Sequence, residues 1–253
     1  DCSSFDRSGM PSQWTLATQF ESRVREHPDR VVVLGRDRAH TFRQVEGQAA
    51  ALAAAFAELG IERDDRVAVN LPNGVEWLVT ALACARLGAT LVPVSPQLNV
   101  HELRYQLRHA EASLVVTIER QGDVDFLQRF EDLLADLPDL QYVVTVGEED
   151  LWYDDRIFQY EDLLSKGQGR VVPAVPVDDD DDLAVIYTSG SAGKPKGVRL
   201  SHRALLENAA SAARVLGLSP DDRVLTPVPF FTVFGFSGLL GTIVAGAVIV
   251  VVP

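Results

Sequence analysis

Cysteine is scarce in this chain, and acidic residues outnumber basic ones. The two cysteines among 253 residues, Cys2 and Cys84, form neither a disulfide framework nor a metal-binding pattern, which favours a reducing, cytoplasmic setting. The formal net charge is −13, and no local cluster of lysine and arginine offsets it. A nucleic-acid phosphate backbone would be repelled, so we expect no nucleic-acid partner.

Methionine is nearly absent as well: Met10 is the single one, and the chain opens at Asp1. No charged-then-apolar leader is visible, so we expect no secretory signal. The opening "DCSSFDRSG" is typical of a processed end or an internal junction. We predict that residues 1–13 form a disordered tail.

Charge is missing from one long stretch, residues 224–253, and its segment "GFSGLLGTIVAGAVIVVV" is long enough to span a bilayer. The alternative is a short buried helix that ends at Gly246, followed by the strand "AVIVVV". Because helix and strand also alternate upstream, we favour this second interpretation and expect no stable membrane insertion.

Helix and strand signals alternate along most of the chain. "DRVAVNL", "ATLVPV", "SLVVT" and "YVVTV" read as buried strands, and the intervening segments have helical periodicity. Three helix starts carry a polar capping residue with Gln or Glu three positions later, namely Thr41 with Gln44, Asn73 with Glu76, and Asn99 with Glu102. Gly88 is predicted to end the second of these helices. This alternation predicts an α/β fold with three layers, in which largely parallel sheets are flanked by helices.

A polar, proline-bearing region from 147 to 182 predicts an irregular joint between two subdomains. We therefore expect a first α/β subdomain over residues 14–165 and a second over residues 166–253. Five aspartates, residues 178–182, end the joint. Because side chains alternate on an extended segment, we interpret them as a solvated linker and not as a cation site.

The segment "YTSGSAGKPKGV", residues 187–198, directly follows the apolar strand "LAVI". In open parallel sheets, ligands bind beyond the carboxyl ends of strands, where this loop must lie. Its backbone amides, hydroxyls and two lysines suit the oxygens of a polyphosphate. Pro195 follows Gly193-Lys194, so the spacing excludes the P-loop of nucleoside triphosphatases. A surface hairpin without a ligand is the alternative.

This segment closely resembles the phosphate-loop signature of the AMP-forming, adenylate-forming superfamily, which includes acyl-CoA synthetases, aryl-CoA ligases, luciferases and the adenylation domains of peptide synthetases. Two other segments, "TFRQVEGQAAALAAAFAELGIERDDRVAVNLPNGVEW" and "ARLGATLVPVSPQLNVHELRYQLRHAEASLVV", also look like this family. The resemblance implies the N-terminal portion of an enzyme that activates a carboxylic acid with ATP and Mg²⁺. CoA or the pantetheine of a carrier protein would then accept the acyl group.

The resemblance also implies roles for residues of the loop. The expected ATP phosphate-binding residues are Thr188, Ser189, Gly190, Ser191, Gly193, Lys194 and Lys196. Thr188 would in addition lie near Mg²⁺. Lys196 would brace the loop through an ion pair, with a solvated lysine as the alternative. Ala192 stands where the family usually has threonine, so one phosphate-facing hydroxyl is missing.

A second segment, "PVPFFTVFGFSGLL", resembles the family's strip beside the acyl pocket, with Thr232 where histidine is common. The implied acyl-pocket candidates are Phe230, Phe231, Thr232, Phe234 and Gly235, although aromatic residues in such a run are more often core. Peptide-synthetase domains for α-amino acids usually place an aspartate here. Its absence favours a fatty or aryl acid.

The segments that carry the family's catalytic lysine and its Gly-x-Thr-Glu magnesium ligand do not occur in these 253 residues. Catalytic residues therefore stay unassigned, and we expect this polypeptide alone to be inactive, since several groups must converge on the transition state. Two alternatives remain open: an enzyme that loads a carrier protein, and a truncated, non-catalytic binding module. His202, after the loop, is expected to cap a helix or lie in the core.

Overall fold

The structure is a computed structural model, and it describes residues 14–36, 38–149, 151, 154–188 and 194–251. The predicted tail, residues 1–13, lies outside this part of the chain. The described helices are α1 (Leu16–Glu26), α2 (Phe42–Glu58), α3 (Val75–Leu87), α4 (Val100–Ala110), α5 (Phe126–Leu134), α6 (Tyr160–Gly167), α7 (His202–Val215) and α8 (Val233–Ala245). The described strands are β1 (Val31–Leu34), β2 (Ala39–Thr41), β3 (Arg66–Asn70), β4 (Thr90–Pro93), β5 (Ala112–Ile118), β6 (Arg120–Gln121), β7 (Val124–Asp125), β8 (Tyr142–Val146), β9 (Ile157–Gln159), β10 (Asp182–Thr188), β11 (Lys196–Ser201), β12 (Arg223–Leu225) and β13 (Val248–Val250).

Two sheets dominate the fold. The larger has the strand order β11-β10-β4-β3-β5-β8-β9, and all its neighbours are parallel except β10 and β11. The smaller has the order β12-β13-β1-β2, and only β1 and β2 are antiparallel. The prediction of largely parallel sheets is confirmed.

The larger sheet lies between two apolar cores. Along β3, Val67 and Val69 join the core shared with α1, α2, α3, α7 and α8, whereas Ala68 joins the core shared with α4 and α5. Side chains of a strand alternate between its faces, so one buried strand serves both helical layers. The predicted three-layer α/β class is confirmed.

Strand pairing crosses the predicted boundary between residues 165 and 166. In the larger sheet Ala184 of β10 is paired with Leu91 of β4, and in the smaller sheet Ile249 of β13 is paired with Val33 of β1. Each sheet therefore contains strands from both predicted subdomains. The physical reason is burial: Leu183 and Ala184 are fully buried, so the backbone N–H and C=O groups of β10 need hydrogen-bond partners, which the neighbouring strands β4 and β11 supply.

The joint predicted as irregular over residues 147–182 contains regular elements. Strand β9 extends the larger sheet beside β8, and α6 follows it directly. Helix α6 buries Tyr160, Leu163 and Leu164, a short i, i+3, i+4 pattern of apolar residues. Two turns of helix amid polar residues give a weak periodic signal, which explains why the prediction was wrong here.

Most predicted helix ends are confirmed. Thr41 with Gln44 and Asn99 with Glu102 form reciprocal capping boxes, and Gly88 ends α3 in the left-handed conformation at φ +68°. The start of α3 differs from the prediction. Gly74 is its capping residue and, being a glycine, offers no side-chain hydrogen bond, while the Asn73 side chain binds a distant segment.

The uncharged stretch near the end of the chain divides as the second interpretation predicted. Helix α8 has 13 residues, Gly246 ends it at φ +71°, and β13 follows. In the ranges that the structure covers, no helix is both long enough and apolar enough to cross a membrane.

The aspartate run is not extended as the alternation argument assumed, although Asp178 and Asp180 are exposed, as expected of a solvated linker. The backbone turns between 178 and 181, where the Asp178 N–H donates to the Asp181 carboxylate at 2.7 Å. Arg203 of α7 binds the carboxylates of Asp179 at 2.6 Å and Asp180 at 2.7 Å. The turn is therefore fixed by ion pairs that partly neutralise the aspartates.

Candidate functional site

The predicted phosphate loop connects β10 to β11, the antiparallel pair at the edge of the larger sheet. Thr188 ends β10 and is paired in register with Lys196, which begins β11. The described members of the predicted phosphate-binding set are Thr188, Lys194 and Lys196, and all three are exposed. The other four, Ser189, Gly190, Ser191 and Gly193, lie outside the described residues.

The end of β10 opens onto a cavity of about 480 Å³. The cavity lies where the parallel strands β4 and β10 end, which is the usual position of ligand sites in open α/β sheets. Helix α4 and the start of α8 form its other walls. Its lining residues are Pro93, Ser95, Leu98, Glu102, Gln106, Ile186, Tyr187, Thr188, Pro195, Phe231, Thr232 and Val233.

The predicted acyl-pocket residues have different environments. Phe231 and Thr232 line the cavity, as does Thr188 at the start of the phosphate loop. Phe230 instead lies in the core at 1% exposure, with its ring 5.5 Å from that of Trp77. Phe234 is 73% exposed. Gly235 is buried in the first turn of α8, against the carbonyl group of Pro229.

Thr232 also has a structural role that was not predicted. Its hydroxyl accepts a hydrogen bond from the Gly235 N–H at 3.0 Å and donates one to the Pro229 carbonyl at 2.8 Å. It is therefore the N-cap of α8, placed on the cavity wall. The signal was present as a threonine directly before a helical apolar run.

Helix α4 contacts both strands of the hairpin that carries the loop. The Tyr105 hydroxyl donates to the carbonyl of Pro195 at 3.2 Å, beyond the loop, and the Tyr187 hydroxyl donates to the carbonyl of Gln106 at 3.2 Å, before it. His109 Nδ1 lies 2.7 Å from the Tyr187 hydroxyl, and its ring stacks on Tyr105 at 5.7 Å. Tyr105 and His109 are four residues apart and so share one helix face, which is the signal that the sequence offered.

Tyr187 keeps its proton in this setting. Burial, with a smaller contribution from Tyr105, raises the pKa of Tyr187 to about 12, so its hydroxyl remains a hydrogen-bond donor at neutral pH. Gly197 faces Tyr187 across the hairpin. A Cβ atom at Gly197 would lie 2.9 Å from Val185 Cγ1 and 3.3 Å from the Tyr187 ring. The glycine is thus required by side-chain packing.

Positive charge at this end of the hairpin comes from Lys194 and Lys196. Across the described ranges, neither lysine forms an ion pair, and both side chains are exposed. The ion pair expected for Lys196 is therefore not seen in that part of the chain. Arg199 is further along β11 and is bound to Asp182 at 2.5 Å.

Two other features are remote from this site. The carboxylates of Asp178, Asp179 and Asp180 approach one another closely enough to hold a cation, but they precede β10. Ile186, the first residue of β10 that lines the cavity, is six residues beyond Asp180, a distance of roughly 20 Å along an extended chain. A groove of about 720 Å³ between α2 and α6 is larger than the cavity but does not border the ends of the parallel strands.

Comparisons with known proteins identify the family of this chain. A family model described as AMP-binding enzyme matches residues 20–253. The indoleacetate–CoA ligase of Aromatoleum aromaticum is 34% identical over 228 residues, which cover 89% of this chain and 42% of that protein. The medium-chain fatty-acid–CoA ligase of Escherichia coli is 28% identical over 241 residues, covering 92% and 41%.

The solved structure of Mycobacterium smegmatis MbtA superimposes with a TM-score of 0.84 at 26% identity, covering 96% of this chain and 44% of that one. The chain spans less than half the length of the curated relatives described above.

Proposed function

Because the chain belongs to the AMP-binding enzyme family, we propose that it forms the N-terminal part of an acid–thiol ligase. The proposed substrates are ATP, a fatty or aryl carboxylic acid, and CoA. A carboxylate oxygen bonds to the α-phosphorus of ATP while the bond from that phosphorus to pyrophosphate breaks, which gives an acyl adenylate. A thiolate then attacks the acyl carbon, a thioester forms, and AMP leaves.

The observation that carries this proposal is the cavity at the ends of β4 and β10. Its lining includes Thr188, whose hydroxyl suits phosphate oxygens, and Pro195, which directly follows Lys194 in sequence. Its lining also includes Leu98, Phe231 and Val233, which suit an apolar acyl or aryl group. To activate the acid, its carboxylate must reach the α-phosphate of ATP. The lining of this cavity combines polar residues that suit phosphate with apolar residues that suit the acid.

The residues present fit ATP and Mg²⁺. Lys194 and Lys196 would offset the charge of the phosphates, and the Thr188 hydroxyl would lie near the cation. When bound, Mg²⁺ neutralises charge on the polyphosphate. Under the same proposal, the four loop residues outside the described ranges supply further donors.

We assign no catalytic residue to this chain, and the remaining groups would come from the portion of the protein that the longer relatives also possess. The proposed compartment is the cytoplasm, in keeping with Cys84, a buried free thiol. The acyl acceptor proposed first is free CoA, because the relatives described above are CoA ligases by name.

The test uses the full-length protein that contains this chain. We expect acid-dependent exchange of pyrophosphate into ATP across a panel of fatty, aryl and β-amino acids. The substitution K194A should lower the exchange rate roughly a hundred-fold, as removal of one well-placed donor does. K166A is the matched control, since Lys166 is the one lysine of the sequence outside the loop and lies on α6.

Three results would contradict the proposal: exchange that needs no acid, equal rates for K194A and K166A, or normal turnover by the 253 residues alone. Transfer of the acyl group only to a phosphopantetheinylated carrier protein, and not to CoA, would move the assignment to a carrier-loading enzyme.

A further inference from the structure

The side chain of Asn73 forms three hydrogen bonds with one distant backbone segment, residues 226–230. Its Nδ2 group donates to the carbonyl oxygens of Thr226 at 3.0 Å and Val228 at 2.9 Å, and its Oδ1 atom accepts from the N–H of Phe230 at 2.8 Å. More than 150 residues separate the partners in sequence. Both amide hydrogens are used, which fixes the orientation of the amide.

Segment 226–230 needs such a partner because of its composition. Pro227 and Pro229 have no N–H group, so this backbone cannot continue the regular pairing that β12 makes with β13. Carbonyl groups left without donors in a partly buried position destabilise the folded chain. Asn73 supplies the donors at alternate residues, as a neighbouring strand would.

The same segment is held from two further directions. At its start, the Thr226 hydroxyl donates to the carbonyl of Val250 at 2.9 Å. At its end, the buried Phe230 ring packs edge-on against Trp77, one helical turn beyond Asn73. The next two residues, Phe231 and Thr232, are on the cavity wall.

We propose that Asn73 is a positioning residue for the acid-binding wall of the cavity, an inference that rests on the proposed function. By fixing the backbone up to Phe230, Asn73 sets where Phe231 and Thr232 stand relative to the end of β10. We expect its effect to fall on the acid and not on ATP, because segment 226–230 leads directly into the lining residues Phe231 and Thr232. The hydrogen bonds that hold the segment reach Asn73 and Val250, and none of them reaches β10 or β11. Asn73 acts through this backbone and has no direct part in the chemistry.

The discriminating variant is N73D in the full-length protein. Aspartate keeps the size and the acceptor oxygen of asparagine but replaces both donors by a carboxylate that faces two carbonyl oxygens. The control, N208D, makes the same chemical change at an exposed position of α7. If N73D does not fold, N73S removes the amide without adding charge and is measured in the same way.

Two measurements are made on each variant. In hydrogen exchange, the Thr226 and Phe230 amides, which donate to the Val250 carbonyl and to Asn73, should exchange at least about ten-fold faster in the Asn73 variant than in the parent, while β10 and β11 are unchanged. In steady-state kinetics, the KM for the acid should rise roughly ten-fold or more, while the KM for ATP stays within about two-fold. The reason is that a small displacement of the residues that position a substrate weakens its productive binding strongly. N208D should match the parent in both.

Unchanged exchange over 226–230 overturns the proposal. So does a parallel rise in both KM values, or a loss of thermal stability with an unchanged KM for the acid, which would mark a purely structural asparagine. If no variant and no parent shows acid-dependent activity, the proposed function fails, whereas the exchange measurement still decides whether Asn73 holds this segment.

Discussion

The Nδ1 atom of His202 accepts a hydrogen bond from the backbone N–H of Leu16 at 3.1 Å. The two residues are 186 positions apart, and the bond ties the start of α1 to the start of α7, next to the hairpin that carries the phosphate loop. His202 is 1% exposed, and Ser201, not His202, caps α7. The core alternative of the prediction is therefore confirmed. His202 must be neutral at Nδ1 to accept this bond.

Burial lowers the pKa of His202 from 6.5 to about 4, and we predict a matching dependence of stability on pH. Between these two values the unfolded chain takes up a proton that the folded chain does not. The contribution of His202 to the free energy of unfolding should therefore be fully present above pH 6.5. It should be lost as the pH is lowered towards 4, and the loss should be on the order of 3 kcal/mol.

Urea unfolding of the parent and H202N at pH 7, 6, 5 and 4.5 measures this effect. Asparagine removes the titration, so H202N should lack that part of the pH dependence, although it is less stable at pH 7. H27N, at the exposed end of α1, is the control. An identical pH slope for the parent and H202N would show that the buried imidazole is not responsible.

Removal of the Tyr105 hydroxyl should affect nucleotide binding specifically. In Y105F the ring can still stack on His109, but the hydrogen bond to the Pro195 carbonyl is lost. One such bond contributes about 1 kcal/mol, so we expect the KM for ATP of the full-length protein to rise about two- to ten-fold, with the KM for the acid unchanged. Steady-state kinetics with each substrate varied in turn measure the split.

Y142F is the matched control for Y105F, because Tyr142 is on β8 and packs on Phe158, away from the hairpin. It should leave both KM values at the parental level. An unchanged KM for ATP in Y105F would mean that the clamp between α4 and Pro195 does not position the loop.

Cys84 should be unreactive in the folded protein. Its side chain is fully buried within α3, and burial raises the pKa of its thiol, so the nucleophilic thiolate is not formed. In a C2S variant, where Cys84 is the one thiol of the 253 residues, a thiol reagent should react in 6 M guanidinium chloride but not in buffer. Rapid labelling in buffer, without unfolding, would contradict the burial of α3.

Local signals predicted the local parts of this fold. The capping boxes at Thr41 and Asn99 and the left-handed glycines at Gly88 and Gly246 depend on residues within one turn of themselves, and all four were read correctly. The position of the phosphate loop at a strand end was predictable for the same reason. Strand alternation and a glycine-rich motif are both properties of contiguous sequence.

Long-range partners were not predictable in this way. Asn73 satisfies the pattern of a helix cap, but its donors and acceptor pair with a segment more than 150 residues away, and Gly74 takes the cap position. Phe230 and Phe231 are neighbours with the same side chain, yet one is in the core and the other on the cavity wall. The packing of α3 against this segment decides between them, and no pattern within the segment records it.

Gly235 and Gly238, both in α8, offer a matched pair for the start of this helix. A Cβ atom at Gly235 would collide with the Pro229 carbonyl group, whose oxygen also accepts the hydrogen bond from Thr232. At Gly238, which is exposed, a Cβ atom would meet nothing within 4 Å. The atoms that would collide with a Cβ atom at Gly235 belong to the backbone, so the backbone itself would have to move. G235A should therefore lower the free energy of unfolding by about 1–3 kcal/mol.

G238A should instead raise that free energy by up to about 1 kcal/mol, because alanine favours a helix interior over glycine. Both values come from urea unfolding of the same protein. In the full-length enzyme, G235A should also raise the KM for the acid, since the collision displaces the backbone directly before and after Phe231 and Thr232. Equal stability of the two variants would mean that α8 and segment 226–230 do not pack as closely as this cavity wall requires.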